Sequence, residues 1–300
     1  MNQSYKAFAA ALFANLIFGS SYTAVKFITP AFIHPFALNF VRVAVTLSLF
    51  WILFLFKPGK IKFDRKDLPR FFICALTGIV INQLFFIKGV SLTTVIHSSL
   101  LSLGSPIFIT IIAAWLLKEG FTLIKGIGLA CGVGGASILI LMKDGSGGGA
   151  ASNMLLGDIL VLINAISYAF YLVLVRPLMA KYSGIQVLRW IFTIGALGIL
   201  PVGFPYILST NWVAFDLLHW LVLGYVAIFA TFVAYLLTVQ SIQLIGSSAT
   251  GAFIYTQPVF AAIFAMIFTG EYFTMYKLIA AILIFTGVYL VNSKKLIKPV

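Results

Sequence analysis

The chain has 300 residues, 62% of them hydrophobic and 9% charged, and a formal net charge of +13 at pH 7. Soluble domains carry about a quarter of their residues as charge, so this composition excludes a water-soluble enzyme or binding module. The basic excess alone would suit nucleic acid, and the positions of the cations decide against it below.

A helix needs about 20 mostly apolar residues to cross hydrocarbon, and such windows succeed one another along the chain. Residues 7–25 come first; one basic residue precedes them and no cleavage site closes a short apolar core, so this span is expected to be retained. Residues 36–56 are interrupted only by Arg42, and residues 71–87 and 92–117 follow with a short junction near Ser91. Residues 127–142 reach spanning length when extended back to Phe121. A Gly/Ser-rich stretch then reads as a flexible linker. Residues 159–175, 190–208, 217–239 and 244–270, the last two meeting near Gly246, and residues 278–293 extended back to Tyr272 complete ten spans. Cys74 and Cys131 lie inside apolar windows without metal-ligand spacing and read as small hydrophobes.

The cations set the orientation. With both termini cytoplasmic, Lys6, Lys57, Lys60, Lys62, Arg65, Lys66, Arg70, Lys118, Lys125, Arg176, Lys181, Arg189, Lys294, Lys295 and Lys298 fall on the inner side, 15 of the 20. Lys88, Lys143 and Lys277 fall outside, and Lys26 and Arg42 within spans. This is the positive-inside pattern of a multi-pass protein of the cell (inner or plasma) membrane, with the lipid bilayer as partner and no nucleic acid.

The chain also repeats. Ser105-Pro106 opens a block ending at Lys118-Glu119, and Gln257-Pro258 opens its echo ending at Gly270-Glu271, 152 residues on. Asn15 and Tyr22 recur as Asn164 and Tyr171, 149 residues on, and Arg176 follows Lys26 one position off that register. Five spans per repeat turn the second half over, so the expected fold is all-α: ten transmembrane helices in two inverted five-helix repeats. The expected divisions are residues 1–143, a linker at 144–153, and residues 154–300 with a basic tail.

The phrase from Asn15 through Gly19 and Tyr22 to Lys26, Arg42 early in the second span, the Ser-Pro block ending at Glu119 and its echo at Pro258 to Glu271 resemble the EamA type of the drug/metabolite transporter superfamily. The resemblance runs from about Ala7 to Asn292. It implies ten helices, cytoplasmic termini, a central cavity between the halves, and export or exchange of amino acids and other small metabolites. Phe18 stands where that family often has Trp.

Polar groups at helical spacing are candidates to face a solute path. The substrate-binding candidates are Asn15, Tyr22, Asn82, Gln83, His97, Asn164, Tyr168, Tyr171, Tyr235 and Tyr255. The Ser and Gly stripes suit close helix packing, as do Gly126, Gly128, Gly132 and Gly135 of the fifth span, within the chain or in a homodimer. His97 suits solute, protons or plain packing. Pro106 and Pro258 are expected to break their helices. Lys26, Arg42 and Glu271 form a charged layer near the outer side, and Glu119, Arg176 and Arg189 the inner counterpart; they are read as alternating gates or as interfacial charges reaching for water.

No Asp or Glu is expected mid-span, since Glu119, Asp158 and Glu271 stand at helix ends. A buried carboxylate relay is thus missing from this reading, and exchange down a gradient is the simplest drive. No nucleotide-binding glycine loop, metal-ligand grouping or nucleophile-base pair suggests a cofactor or an enzyme. The expected function is a secondary transporter, exporter or exchanger, of small polar metabolites, amino acids or related compounds, by alternating access. A channel and a non-transporting receptor or scaffold stay open as alternatives.

Overall fold

The computed structural model describes residues 3–56, 64–117, 123–141 and 153–292. Hydrocarbon offers the backbone no water to bond, so each crossing must satisfy its own amides, and every regular element described is helical. In chain order these are α1 (Gln3–Ile28), α2 (Pro35–Phe56), α3 (Leu68–Ala75), α4 (Asn82–Leu92), α5 (Val95–Ser102), α6 (Gly104–Leu117) and α7 (Leu123–Leu141). The second half contributes α8 (Met154–Leu174), α9 (Arg176–Lys181), α10 (Gly184–Leu208), α11 (Leu217–Gly224), α12 (Ala234–Ala252), α13 (Gln257–Phe268) and α14 (Met275–Asn292).

These segments make ten crossings. Among the described residues seven are long, apolar, nearly continuous helices, and the other three, beginning at Val95, Phe253 and Met275, are shorter. The third crossing joins α3 to α4 through a π turn at Leu76–Ile81, and the eighth joins α11 to α12 through another at Tyr225–Val233. The two π turns start 149 residues apart, the displacement that relates Asn15 to Asn164.

The fourth crossing is divided at Leu103, with Pro106 in the first turn of α6; the ninth opens on a 3-10 turn, Phe253–Thr256, with Pro258 in the first turn of α13. Helical backbone runs on to Ala252, yet the Ser241 and Thr250 hydroxyls lie 2.9 Å apart. Nine residues of straight helix would separate them by about 13.5 Å, so the chain turns back between Ser241 and Thr250. Five crossings in each half then place the second half upside down relative to the first.

The third, fourth and sixth crossings pack as one group; the first, eighth and ninth pack as its counterpart. The second and seventh pair beside them, as do the fifth and tenth. The fifth-span glycines are used within the chain: a Cβ on Gly287 of α14 would lie 2.5 Å from the Gly128 carbonyl oxygen and 2.7 Å from the Gly132 amide. Cys74 is buried, Cys131 half-buried, and both are free thiols. Residues 142–152, and so most of the expected linker, lie outside the described residues; Asn153 caps α8 by accepting the Leu156 N–H at 3.2 Å.

Candidate functional site

A cavity of about 460 Å³ lies between the two groups of crossings, a size in the range of small-molecule sites, roughly 300–1,000 Å³. Tyr22, Arg42, Asn82, Gln83, Asn164, Tyr168, Tyr171 and Tyr235 all line it, together with Phe18, Phe86, Ser102, Ser105 and Gln257. Its lining runs on past Arg176, Met179, Ala180, Leu188 and Ile242 toward the end of the bundle where α1 begins and α14 ends. At the far end it stops beneath Tyr22 and Phe86, whose rings meet edge to face at 5.0 Å.

The π turns prepare this site. Their changed hydrogen-bond pattern leaves carbonyls for side chains, a common use of π turns at functional positions. Within the first π turn the Thr77 carbonyl accepts from Ser167 at 2.6 Å, and just beyond it, in the first turn of α4, Asn164 donates to the Asn82 carbonyl at 2.8 Å and Asn39 to that of Gln83 at 3.1 Å. In the second π turn Thr231 donates to the Val226 carbonyl, five residues back, at 2.9 Å and accepts from Arg42 Nε at 2.9 Å. Arg42 is 5% exposed, and its Nη1 has no hydrogen-bond partner among the described residues. Gln83 donates to the Tyr235 hydroxyl at 3.3 Å, while its Oε1 is likewise unpartnered. No carboxylate is among the described cavity-lining residues, so the fixed charge of the site is that of Arg42 and Arg176.

Three substrate candidates do not line the cavity. Asn15 sits behind Gln257, accepting from its Nε2 at 2.7 Å and donating to the Ala11 carbonyl at 2.7 Å. Tyr255 packs in the 3-10 turn against the core. His97 is fully buried at the start of α5, its Nδ1 3.3 Å from Asp158 Oδ2. Asp158 is 1% exposed and also accepts from Thr93 Oγ1 at 2.5 Å. A buried carboxylate is therefore present. Asp158 stands near the start of α8, as expected, yet it is buried there, so the reading that a buried carboxylate is missing is corrected: α8 enters the bundle against the break between the third and fourth crossings. Two cavity residues outside the substrate candidates, Ser105 and Gln257, are repeat mates 152 residues apart, a signal the internal symmetry carried.

The far-end charges grip main chain. Lys26 Nζ donates to the Ser91 and Thr93 carbonyls at 3.2 and 2.7 Å, closing the C-terminal end of α4. Glu271, 3% exposed, accepts the Val95 and Ile96 N–H groups at 2.7 and 2.9 Å, capping α5. Each charge matches the helix dipole it meets. Lys26 and Glu271 belong to the first and ninth crossings and their partners to the third and fourth, so the pair ties the two groups together. At the open end Arg176 is exposed in the cavity mouth, Arg189 packs over Phe54 at 4.3 Å and Trp51 at 5.3 Å, and Glu119 lies outside the described residues.

Ten helices in two halves around a central cavity define an all-α polytopic membrane protein. Residues 6–141 and 155–293 match the EamA-like transporter family, so the chain belongs to that family, one of transporters and not of enzymes. The chain is 25% identical over 295 residues to the uncharacterized transporter YetK of Bacillus subtilis, covering 97% of this chain and 87% of that protein. It is 24% identical to an uncharacterized transporter of Archaeoglobus fulgidus, covering 88% of this chain and 89% of that one. A probable terminal-alkyne amino-acid exporter of Streptantibioticus cattleyicolor is 26% identical over 77% of this chain and 75% of its own length. A solved crystal structure superposes with a TM-score of 0.65 at 17% identity over 97% of this chain and 99% of the other, a likeness of fold.

Proposed function

We propose that this transporter is a secondary exporter or exchanger of small polar metabolites that carry a carboxylate, amino acids or related compounds, working by alternating access. The observation that carries the reading is Arg42: a buried guanidinium at the closed end of a cavity with no carboxylate among its described lining residues, holding an unpartnered donor. A buried cation is costly, and a carboxylate-bearing solute would offset that cost while using the planar donors. Gln83 and the hydroxyls of Tyr168, Tyr171 and Tyr235 offer acceptors and donors for the rest of the solute, and the rings close over its apolar part. The kinship with an amino-acid exporter supports the same class.

In this reading the termini are cytoplasmic, as the cation distribution favours, and the described state is inward-open. Lys26 and Glu271 form the closed outer gate. The repeat makes Arg176 and Glu119 their mates, and we read them as the inner gate, open here. With the fifth-span glycines used against α14, the transporter works as a monomer.

The test is counterflow: purified protein in liposomes preloaded with mixed amino acids and carboxylate metabolites, with entry of trace labelled solutes followed one at a time. Saturable accumulation of a carboxylate solute, lost in Arg42→Gln, is expected. Accumulation only of solutes without a carboxylate would overturn the substrate class, and a flux that never saturates would indicate a channel.

A further inference from the structure

The third and sixth crossings are longer than hydrocarbon requires. Each runs 28 residues, Arg65–Leu92 and Met154–Lys181, which at 1.5 Å per residue is about 42 Å against the roughly 30 Å of a bilayer core. Their surplus turns are bound together at one end of the bundle. Asp67 Oδ2 accepts from Lys181 Nζ at 2.7 Å and from the Tyr182 hydroxyl at 2.6 Å, and Asp64 Oδ2 lies 3.4 Å from the same Nζ. The same end carries Trp51 and Trp190, ring to ring at 6.0 Å, the aromatic signature of a headgroup layer.

Beside these bonds opens a second cavity, of about 360 Å³, which shares no residue with the solute cavity. Lys66, Asp67, Pro69, Arg70, Ile73 and Leu174 line it. Positions 66, 69, 70 and 73 follow helical spacing, so one face of the chain entering α3 forms most of the wall. Lys66 to Ile73 is about 10 Å along that face, enough to cross one headgroup layer into hydrocarbon. The wall therefore begins with two cations and ends on Ile73, which is exposed, and Leu174, which is half-buried.

The charge here is unbalanced. Arg65, Lys66, Arg70 and Lys181 stand against Asp64 and Asp67, a surplus of two positive charges. Lys181 occupies both carboxylates, while among the described residues neither Lys66 Nζ nor the Arg70 guanidinium has a hydrogen bond or a carboxylate within ion-pair distance. Asp67 stands at the cap position of α3 but makes no side-chain bond to its amides, so the positive end of that helix dipole adds to the field. A soluble anion would leave the apolar wall unused, and an acyl chain alone would leave the cations unused. An anionic phospholipid uses both.

We propose that this pocket binds one anionic phospholipid of the adjoining leaflet, its phosphate between Lys66 and Arg70 and its first acyl carbons on Ile73 and Leu174. The planar guanidinium of Arg70 suits two phosphate oxygens at once. The bound lipid braces the third crossing against the sixth. Leu174 stands two residues before Arg176 of the solute cavity, so the brace steadies one wall of that cavity's mouth. The site requires only that the chain span a membrane and does not rest on the transport reading.

The test uses purified full-length protein in detergent, as wild type, as Lys66→Gln/Arg70→Gln, and as Lys294→Gln/Lys295→Gln, which loses the same charge from the basic tail. Native mass spectrometry with added phosphatidylglycerol or phosphatidylcholine reads the lipid retained. Wild type and the tail variant should retain phosphatidylglycerol in preference to phosphatidylcholine. A basic residue near an anionic lipid surface is worth about fivefold in binding, so the pocket variant should bind phosphatidylglycerol about 30-fold more weakly. Equal retention of the two lipids by wild type overturns the site, as does equal weakening in the tail and pocket variants or no weakening in the pocket variant. Thermal melts separate the lipid from its headgroup: phosphatidylglycerol should raise the Tm of wild type and not of the pocket variant. An equal rise with glycerol phosphate at the same concentration would make a free phosphate the ligand and overturn the lipid assignment. Should the pocket variant fail to fold, Arg70→Gln alone should bind about fivefold more weakly, and unchanged binding there overturns the site.

Discussion

Glu271→Gln probes the proposed outer gate with the smallest change in shape. The carboxylate holds two buried amides at 2.7 and 2.9 Å, and hydrogen bonds to a charged group contribute about 1.5–3 kcal/mol each. Glutamine keeps one acceptor oxygen and turns an NH2 toward the other amide, so one bond weakens and one becomes a clash of donors. The outward-closed state should lose about 2–3 kcal/mol, a shift of roughly 30- to 150-fold toward the outward-open state. The assay places a single cysteine at Ser102, which lines the cavity, in a background with Cys74 and Cys131 replaced by alanine. An impermeant maleimide added outside should label Glu271→Gln faster than its parent, and one added inside should label it more slowly. Unchanged rates on both sides, from protein of unchanged thermal stability, would refute the argument that this cap holds the outer end shut.

Further expectations concern the cavity, the packing and the loops. Arg42→Lys keeps the charge but not the planar fork, and should raise the KM of a carboxylate solute about tenfold or more with little change in Tm, measured by counterflow. Gly287→Ala drives a methyl into the Gly128 and Gly132 backbone and should cost about 1–3 kcal/mol of stability, whereas Gly134→Ala, which meets nothing within 4 Å, should be near neutral in the same melt. Asp216 caps α11, and the bond from the His219 backbone N–H, followed by contact with the His219 ring, holds its carboxyl below the usual range. A depressed carboxyl contributes stability that is complete above its unfolded pKa and is lost as pH falls through the folded one. The Tm gap between wild type and Asp216→Ala should thus stay flat from pH 8 to 6 and narrow only below about pH 4.

The crossings were legible because hydrocarbon imposes length and apolarity on every one of them, and the repeat was legible in Pro106, Glu119, Pro258 and Glu271. Tyr22, Asn164, Tyr168 and Tyr171 could be found because one helical face points at the cavity along its whole length. Asn15 shares a stripe with Tyr22, but Gln257 from the ninth crossing covers it. His97 falls beyond the extended backbone at Thr93, and a break of that kind resets the phase on which stripe counting depends. The burial of Asp158 had no local signal: five residues into a helix it looks solvated, and only the approach permitted by Gly89 and Gly157 carries it into the bundle. Nor did composition mark the π turns, which set where Arg42 and Thr231 meet.

Because Lys26 and Glu271 seize carbonyls and amides, the proposed outer lock reads the main chain at positions 91, 93, 95 and 96 and not their side chains. Its keyhole is the peptide itself, which every residue but proline presents alike. At positions 95 and 96 the wards of such a lock can drift freely in evolution while the two keys cannot, so variation at Val95 or Ile96 should be silent for gating unless it removes the N–H.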